Sequence, residues 1–369
     1  MFVSVLLTGY SRKILGALLT IGFLGLVAGI QSCNRWDSSN DASEIEHSQQ
    51  DIAKDEVQDP EVARKSIEAD MSFDFTISTD ICQDDQGPDC TRLRLGDDYF
   101  TTAAPANGYL YSCTDKNPRA PGSIESKITW IDLSKGTWNL IKKLWLPQGE
   151  FTVSTGVYTE SISDNKRFIN TNNLPVDGKI GDWPMTDYPQ LTEIDPNPGM
   201  PASSDYSFSY PVYPVVAILP RCVSLGAIGV TKNGVVLFSA SDARGEDALA
   251  REIVDAFGGH PAMSDYHYHF IPERLDDESL SDGHSGTVGY INDGFPIYGY
   301  RGEGGVEMSN ADLDSCHGHD HGTLGYHYHA TMEYPYTVGC YVGSEVQSQL
   351  NSKLPDDRGR PPQHRNRRE

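Results

Sequence analysis

The sequence predicts a mainly β fold with one or two short helices (α+β), built from antiparallel sheets and stapled by disulfides. The 369 residues include 35 glycines, 22 prolines and 19 tyrosines, a composition that favours turns and strands over long helices. Short runs of aromatic and β-branched residues alternate with turn formers along most of the chain. The chain also contains 7 cysteines, which are candidates for disulfides in an exported protein.

The net charge argues against one class of partner. The chain carries a formal charge of −23 at pH 7, whereas a nucleic-acid-binding protein needs a basic surface that contacts the phosphates. We therefore expect no nucleic-acid partner. The sequence does not identify a small-molecule or polymer ligand.

The first 33 residues are typical of an export signal. Arg12 and Lys13 precede an apolar run from Ile14 to Ile30, and the small residue Ser32 stands before Cys33. This ending resembles a bacterial lipoprotein signal, in which Cys33 is acylated and becomes the first residue of the mature chain. A plain signal peptide or a membrane anchor helix is the alternative, although the run is slightly short for a span. We expect a cell-envelope protein, periplasmic or extracellular, that is attached to the bacterial membrane through the lipid on Cys33.

Composition divides the remaining chain into four parts. Residues 34–70 are acidic, with few large apolar side chains, and are predicted to form a disordered tether. A small cysteine-containing lobe is predicted at 71–120, a larger domain at 121–345, and a disordered basic tail at 346–369. An even set of cysteines follows Cys33 and predicts up to three disulfides, without indicating their pairing: Cys82, Cys90, Cys113, Cys222, Cys316 and Cys340.

Several segments have the pattern of a particular secondary structure. The predicted strands are Phe73–Ile77, Tyr109–Tyr111, Ile128–Leu133, Trp138–Leu146, Phe151–Val157 and Val212–Leu219. Asn233-Gly234 lies between two apolar runs, which is a strong hairpin signal. One helix is predicted from about Asp247 to Phe257, and it ends at Gly258-Gly259.

A Tyr-His-Tyr-His tetrapeptide occurs twice, at 266–269 and again at 326–329, sixty residues later. In an extended chain the two histidines of a copy point to one face and the two tyrosines to the other. Histidines two apart on a strand present a compact pair of imidazoles to one metal ion. We expect the tyrosines to be buried in the core, each hydroxyl with a partner.

The paired histidines predict a transition-metal site. We expect the two copies to share one pocket with histidines from the adjoining glycine-rich turns, giving the ligand set His260, His267, His269, His317, His327 and His329. Copper or zinc suits imidazole ligands. Four nitrogens would close a tetrahedral shell, whereas three would leave an open position, with Asp293 as an outer partner or general base. His319 and His321 belong either to a separate surface metal site or to a solvated loop, and His284 lies in a turn.

The order of these blocks resembles the YHYH-domain family of exported proteins. The resemblance rests on the two tetrapeptides together with Gly258–Pro261, Gly289–Gly299, Cys316–His319 and Gly339–Gly343. It implies that residues 121–345 form a YHYH domain and that the chain is exported. It implies no reaction.

Three functions are compatible with this sequence. The first is a surface protein that binds copper or zinc, for acquisition or buffering. The second is a metal-dependent extracellular hydrolase or oxidoreductase. The third is a structural or adhesive module in which tyrosine and histidine form a metal-free hydrogen-bond lattice. A closed shell of four nitrogens favours the first, an open site in a cleft favours the second, and rings whose nitrogens all bond protein groups favour the third.

Overall fold

Short β-strands dominate the computed structural model, which describes residues 87–148 and 156–347. These residues contain two α-helices of four residues each, α1 (Pro189–Thr192) and α2 (Ala248–Arg251). The mainly β prediction is therefore confirmed. In the same residues no helix has the length and apolar character needed to cross a membrane. The predicted signal and tether, the strand Phe73–Ile77, most of Phe151–Val157 and the predicted tail from residue 348 onwards lie outside the described residues.

An eight-stranded sheet carries both Tyr-His-Tyr-His copies. Its strands, in spatial order, are β12 (Gly259–Ala262), β13 (Asp265–Tyr268), β11 (Val236–Phe238), β10 (Ala227–Thr231), β14 (Thr287–Ile291), β15 (Pro296–Tyr298), β17 (Gly325–His329) and β16 (Gly318–His321). Neighbouring strands are antiparallel except for β11 with β13 and β15 with β17, which are parallel. The first tetrapeptide therefore lies on β13 and immediately after it, and the second lies on β17.

This sheet consists of two similar halves that are sixty residues apart in sequence. The strand order places β10, β11, β13 and β12 on one side and β14, β15, β17 and β16 on the other. The two innermost strands are antiparallel neighbours, and Val230 pairs with Tyr290, its own counterpart in the other half. Equivalent residues that pair antiparallel are related by a two-fold axis. The halves are thus arranged with approximate two-fold symmetry about that pair.

Each half begins with a tight hairpin. β10 and β11 are antiparallel, as the Asn233-Gly234 signal predicts, and β14 and β15 form the equivalent hairpin. Gly234 has φ +86° and Gly294 has φ +89°. Only glycine adopts this backbone region without steric cost, so both turns depend on it.

Four smaller sheets account for the other strands of the described residues. They are β1 (Leu93–Arg94), β5 (Thr137–Trp138) and β4 (Ile131–Asp132); β2 (Phe100–Thr101) and β3 (Leu110–Tyr111); β6 (Tyr158–Ser163), β7 (Lys166–Thr171) and β8 (Tyr206–Pro211); and β9 (Val216–Arg221) with β18 (Tyr341–Gly343). The prediction of one strand at Val212–Leu219 is wrong, because the chain turns between Pro211 and Val216. The predicted strand Trp138–Leu146 is also wrong beyond its first residue, since a 3₁₀ turn follows at Leu140–Lys142.

The predicted helix Asp247–Phe257 ends much earlier than expected. Asp247 caps α2 by accepting a hydrogen bond from Ala250 N, and the chain is already extended at Glu252. Residues beyond it are held extended by tertiary hydrogen bonds, because Leu146 N donates to Val254 O and Ala256 N donates to Leu146 O. Tertiary pairing therefore overrides the local helical pattern.

One hydrophobic core joins the early part of the chain to the histidine-bearing sheet. It contains Trp138 and Trp145 together with Tyr266 and Tyr328, all of them at most 1% exposed. The disulfides Cys113–Cys222 and Cys316–Cys340 link distant parts of the described chain, and Cys90 is disulfide-bonded as well. The predicted disulfide framework is therefore present. The domain boundaries at residues 120 and 345 stay predictions.

Three of the four tetrapeptide tyrosines are fully buried, as predicted, whereas Tyr326 is half-buried. Each of the four hydroxyls has a partner. Tyr266 donates to Asp255 Oδ2 at 2.7 Å and Tyr328 donates to Asp293 Oδ2 at 2.6 Å. Burial raises the pKa of Asp293 to about 6, while hydrogen bonds from Tyr328 and from backbone N–H groups oppose that shift. Each of these carboxylates accepts hydrogen bonds from several segments of the chain, and these bonds hold the segments together.

Removing the Asp293 carboxylate should destabilise the protein. Asp293→Ala leaves the Tyr328 hydroxyl and the N–H groups of Val342 and Gly343 without their acceptor. We expect the free energy of unfolding to fall by about 2–4 kcal/mol, measured by urea denaturation. Asp277→Ala, at an exposed position, is the control and should change it by less than about 0.5 kcal/mol. Equal effects for the two variants would contradict this structural role.

Candidate metal centres

The first histidine cluster consists of His260 on β12 and His267 and His269 on or beside β13. His269 Nε2 lies 3.0 Å from His267 Nε2 and 3.0 Å from His260 Nε2. All three side chains are buried. Three imidazole nitrogens therefore converge on one point at the edge of the sheet.

Backbone carbonyls fix which nitrogen points to that centre in two of the three rings, those of His267 and His269. His267 Nδ1 lies 2.9 Å from Asp265 O, and His269 Nδ1 contacts Ser239 O, just beyond β11. A carbonyl oxygen only accepts hydrogen bonds, so Nδ1 must carry the proton in both rings. In the neutral imidazole Nε2 then has a free lone pair, and the two lone pairs face each other.

Glu252 adds a carboxylate to the first histidine cluster. Its Oε2 lies 3.3 Å from His260 Nε2 and 3.8 Å from His269 Nε2. The extended backbone at Glu252, directly after α2, brings this side chain to the histidines. No motif in the sequence marks Glu252 as a ligand, because it lies inside the predicted helix.

A cavity of about 450 Å³ opens beside the first histidine cluster. Glu252 and all three histidines line it, together with apolar side chains such as Phe238 and Leu225. Its size is in the range of small-molecule binding sites. The first cluster is therefore open to a ligand.

The second histidine cluster consists of His284, His319, His327 and His329. Three of the Nε2 atoms form a nearly equilateral triangle, with 3.0 Å between His319 and His327, 3.2 Å between His327 and His329, and 3.2 Å between His329 and His319. His284 Nε2 lies 3.2 Å from His327 Nε2. His284, His327 and His329 are fully buried, and His319 is half-buried.

Backbone carbonyls fix the tautomers here as well. The Nδ1 atoms of three rings lie 2.7–2.8 Å from carbonyl oxygens: His284 from Ser285 O, His327 from Gly325 O, and His329 from Gly299 O. Each of these neutral rings therefore presents the lone pair of Nε2 to the centre. The carbonyls of Ser239 and Gly299 occupy equivalent places after β11 and β15, so the two halves orient their histidines in the same way.

Burial keeps most of these imidazoles neutral. Desolvation lowers the pKa of His269 to about 4 and that of His327 to about 3. The pKa values of His260, His267 and His329 are lowered in the same direction by burial and then by the neighbouring histidines. Aromatic neighbours also restrain the rings, since the ring centroid of Phe238 lies 3.9 Å from that of His267 and that of Tyr298 lies 4.4 Å from that of His327.

The expectation of one shared metal pocket is wrong. Four strands separate β13 from β17 in the sheet, and at a strand spacing of about 4.8 Å the two pairs lie roughly 20–25 Å apart. Two groups of histidines with metal-binding geometry result, one in each half of the sheet. Either group can hold a metal ion.

The structure does not bring His317 into either cluster. His317 is buried, but its Nε2 contacts Thr331 Oγ1 at 3.0 Å, and burial lowers its pKa to about 3. His319 takes the place predicted for His317. Aligning Gly259-His260 with Gly318-His319 would have identified it. Of the other two uncertain histidines, His284 joins the second cluster, whereas His321 Nε2 lies 3.4 Å from Asp282 Oδ2.

Asp293 is also not part of a metal centre. Its carboxylate accepts hydrogen bonds from the Tyr328 hydroxyl and from backbone N–H groups of residues 342 and 343. It is fully buried on the tyrosine side of the tetrapeptide strand. The expected role as general base or outer partner is therefore wrong, because the side chain is already committed to holding β17 against β18.

The central part of the chain matches a known protein family. Residues 207–306 match the sequence model of a family described as YHYH protein. The chain carries a YHYH domain. The YHYH match covers less than a third of the 369 residues; it includes the first histidine cluster and His284 and ends before the other three histidines of the second. No curated protein and no solved structure matches the chain significantly.

His317 should behave as a structural residue. His317→Ala removes a buried ring and one partner of the Thr331 hydroxyl, which also bonds to the backbone of Glu333. We expect the free energy of unfolding to fall by about 1–3 kcal/mol. The metal content of the purified protein should stay unchanged, as measured by elemental analysis. His319→Ala is the matched comparison and should lower the metal content. A loss of metal in His317→Ala would place that residue among the ligands.

Proposed function

We propose that this YHYH protein binds two transition-metal ions, one at each histidine cluster, and that the ion at the second cluster is zinc. The protein is then a metal-binding protein of the cell envelope. Copper is the competing metal, since imidazole ligands also suit it.

The facing lone pairs of the Nε2 atoms carry this proposal. In five of the seven clustered histidines, Nδ1 lies against a backbone carbonyl, which leaves Nε2 without a proton in the neutral ring. Unprotonated nitrogens about 3 Å apart repel each other. A cation at the centre turns that repulsion into coordination, and Nδ1–H bonded to a carbonyl is the usual arrangement for a metal-bound histidine.

The distances in the second cluster favour a tetrahedral ion. A tetrahedron with zinc–nitrogen bonds of about 2.0 Å has nitrogen–nitrogen edges of about 3.3 Å. The triangle formed by His319, His327 and His329 has edges of 3.0–3.2 Å. A square-planar copper(II) site contains no such triangle, because two of any three ligands are then about 4 Å apart. This geometry supports zinc.

The same observation counts against a metal-free lattice of tyrosine and histidine. The tyrosine hydroxyls of the tetrapeptides bond to carboxylates or to other side chains, not to these histidines. The histidine rings use Nδ1 for the backbone and direct Nε2 towards one another. A lattice would need a proton between each pair of Nε2 atoms.

Export and lipid attachment complete the proposal. The basic start at Arg12 and Lys13, the apolar run and Cys33 are typical of a lipoprotein signal. The disulfides Cys113–Cys222 and Cys316–Cys340 support an oxidising compartment. We place the protein on the periplasmic or extracellular side of the bacterial membrane, held there by the lipid on Cys33.

Single substitutions should remove one ion at a time. The untagged parent, loaded with zinc and dialysed, should contain about two zinc ions per chain by elemental analysis. His269→Ala and His329→Ala should each contain about one, because each removes a ligand from a different cluster. The double variant should contain none.

The melting temperature provides the control for this experiment. The parent should melt at a lower temperature after chelation, since an ion that binds only the folded state stabilises it. His321 lies outside both clusters, so the His321→Ala variant should retain both ions. A parent without bound zinc and with the same melting temperature after chelation would refute the proposal.

The lipid anchor predicts a clear phenotype for Cys33. Cys33→Ser removes the thiol that would carry the acyl chain, so the variant should incorporate no radiolabelled fatty acid. It should either be absent from the membrane fraction or retain its uncleaved signal peptide. Cys90→Ser retains Cys33 and should be labelled as strongly as the parent. Equal labelling of Cys33→Ser and the parent would rule out this anchor.

A further inference from the structure

We propose that the first histidine cluster and Glu252 form an open metal site that binds an exogenous small molecule with an anionic donor atom and an apolar body. This inference rests on the proposed function, because it requires a metal ion at that cluster. It distinguishes the two centres: the second holds its ion in a closed shell, and the first presents its ion to a ligand.

The ligand set differs between the two clusters. Four imidazoles converge at the second cluster, and four nitrogens complete a tetrahedral zinc shell. Only three converge at the first, where the Oε2 atom of Glu252 lies 3.3 Å from His260 Nε2. Three nitrogens with one carboxylate suit a divalent first-row metal ion, which can take a fifth or sixth ligand.

The net charge of the ion and its ligands favours an anion at the open coordination position of the first cluster. The three histidines are neutral when they coordinate, and the Glu252 carboxylate contributes one negative charge. A divalent ion bound by this set retains one positive charge on its ligand shell, which an anionic donor atom neutralises directly. Asp195 and Asp242 also line the cavity, but they are not among the groups that converge on the ion. The second cluster has no carboxylate in its ligand set.

The cavity determines the rest of the ligand. It holds about 450 Å³ beside the metal ligands, and its walls include Phe238, Leu225 and Met263. Two further carboxyl groups line it. Asp195 accepts a hydrogen bond from Ile253 N, and Asp242 accepts from Arg244 N and Glu246 N through Oδ1, while its buried Oδ2 has no hydrogen-bond partner among the described residues. The space next to the ion is thus suited to an aliphatic or aromatic group of modest size.

Cobalt(II) provides the probe, because its visible absorption reports on the number and kind of its ligands. His329→Ala should bind cobalt at the first cluster, and His269→Ala should bind it at the second. Titration with azide should change the spectrum of His329→Ala with saturation and leave that of His269→Ala unchanged. The unaltered protein tests the same point without a substitution, since azide should change only the absorption bands that His329→Ala retains.

Two hydroxamates test the apolar cavity. Benzohydroxamate should bind the cobalt form of His329→Ala at least about tenfold more tightly than acetohydroxamate, because its ring is removed from water in the cavity. Ala243→Trp, introduced at an exposed position of the cavity wall, should reduce that preference and leave azide binding unchanged. Glu252→Gln should weaken cobalt binding at the first cluster by at least about tenfold and not at the second.

The possible results separate this inference from the function on which it rests. Cobalt at both clusters with no response to azide in the unaltered protein would overturn the open site and leave the two-metal proposal standing. A response to azide with equal affinity for the two hydroxamates would overturn the apolar ligand. No cobalt or zinc bound at either cluster would refute both proposals.

Discussion

The hydrogen bond between histidine Nδ1 and a backbone carbonyl is the constraint on which both centres depend. It fixes the tautomer, turns the ring, and directs the Nε2 lone pair away from the backbone. For His269 and His329 the acceptors are the carbonyls of Ser239 and Gly299, immediately after β11 and β15. The parallel pairing of β11 with β13 and of β15 with β17 places these carbonyls beside the rings. The topology of the sheet therefore determines the chemistry of the imidazoles.

Two halves of similar sequence share this arrangement but differ in the groups around it. Asp255 and Asp314 have equivalent roles, since each accepts hydrogen bonds from backbone N–H groups and from the first tyrosine of its tetrapeptide. The turn residue beside the second tyrosine differs, because Asn233 donates to Tyr268 whereas Asp293 accepts from Tyr328. The scaffold is common to both halves, and the differences lie in polar side chains at its edges.

The sequence predicted what depends on local periodicity and missed what depends on the arrangement of strands. Alternation places the tyrosines in the core and the histidines together, and Asn233-Gly234 forms its hairpin. The single shared pocket was wrong because four strands lie between β13 and β17. His319 was missed because the repeat is one residue shorter there: His260 corresponds to a residue 59 positions later, whereas His267 corresponds to His327. Glu252 could not be recognised, since its contact with His260 depends on a helix that ends after four residues.

In the proposed function, the fourth donor distinguishes the two centres. His284 reaches the second cluster from the segment before β14, whereas Glu252 reaches the first from the segment after α2. An imidazole adds a neutral ligand and closes a tetrahedral shell around the ion, which stabilises the fold but leaves no position for a substrate. A carboxylate beside a cavity leaves the ion with a position to fill and a charge to balance. We therefore propose that similar pairs of histidines on one sheet serve two different kinds of metal site, and that the residue joining each pair decides which kind forms.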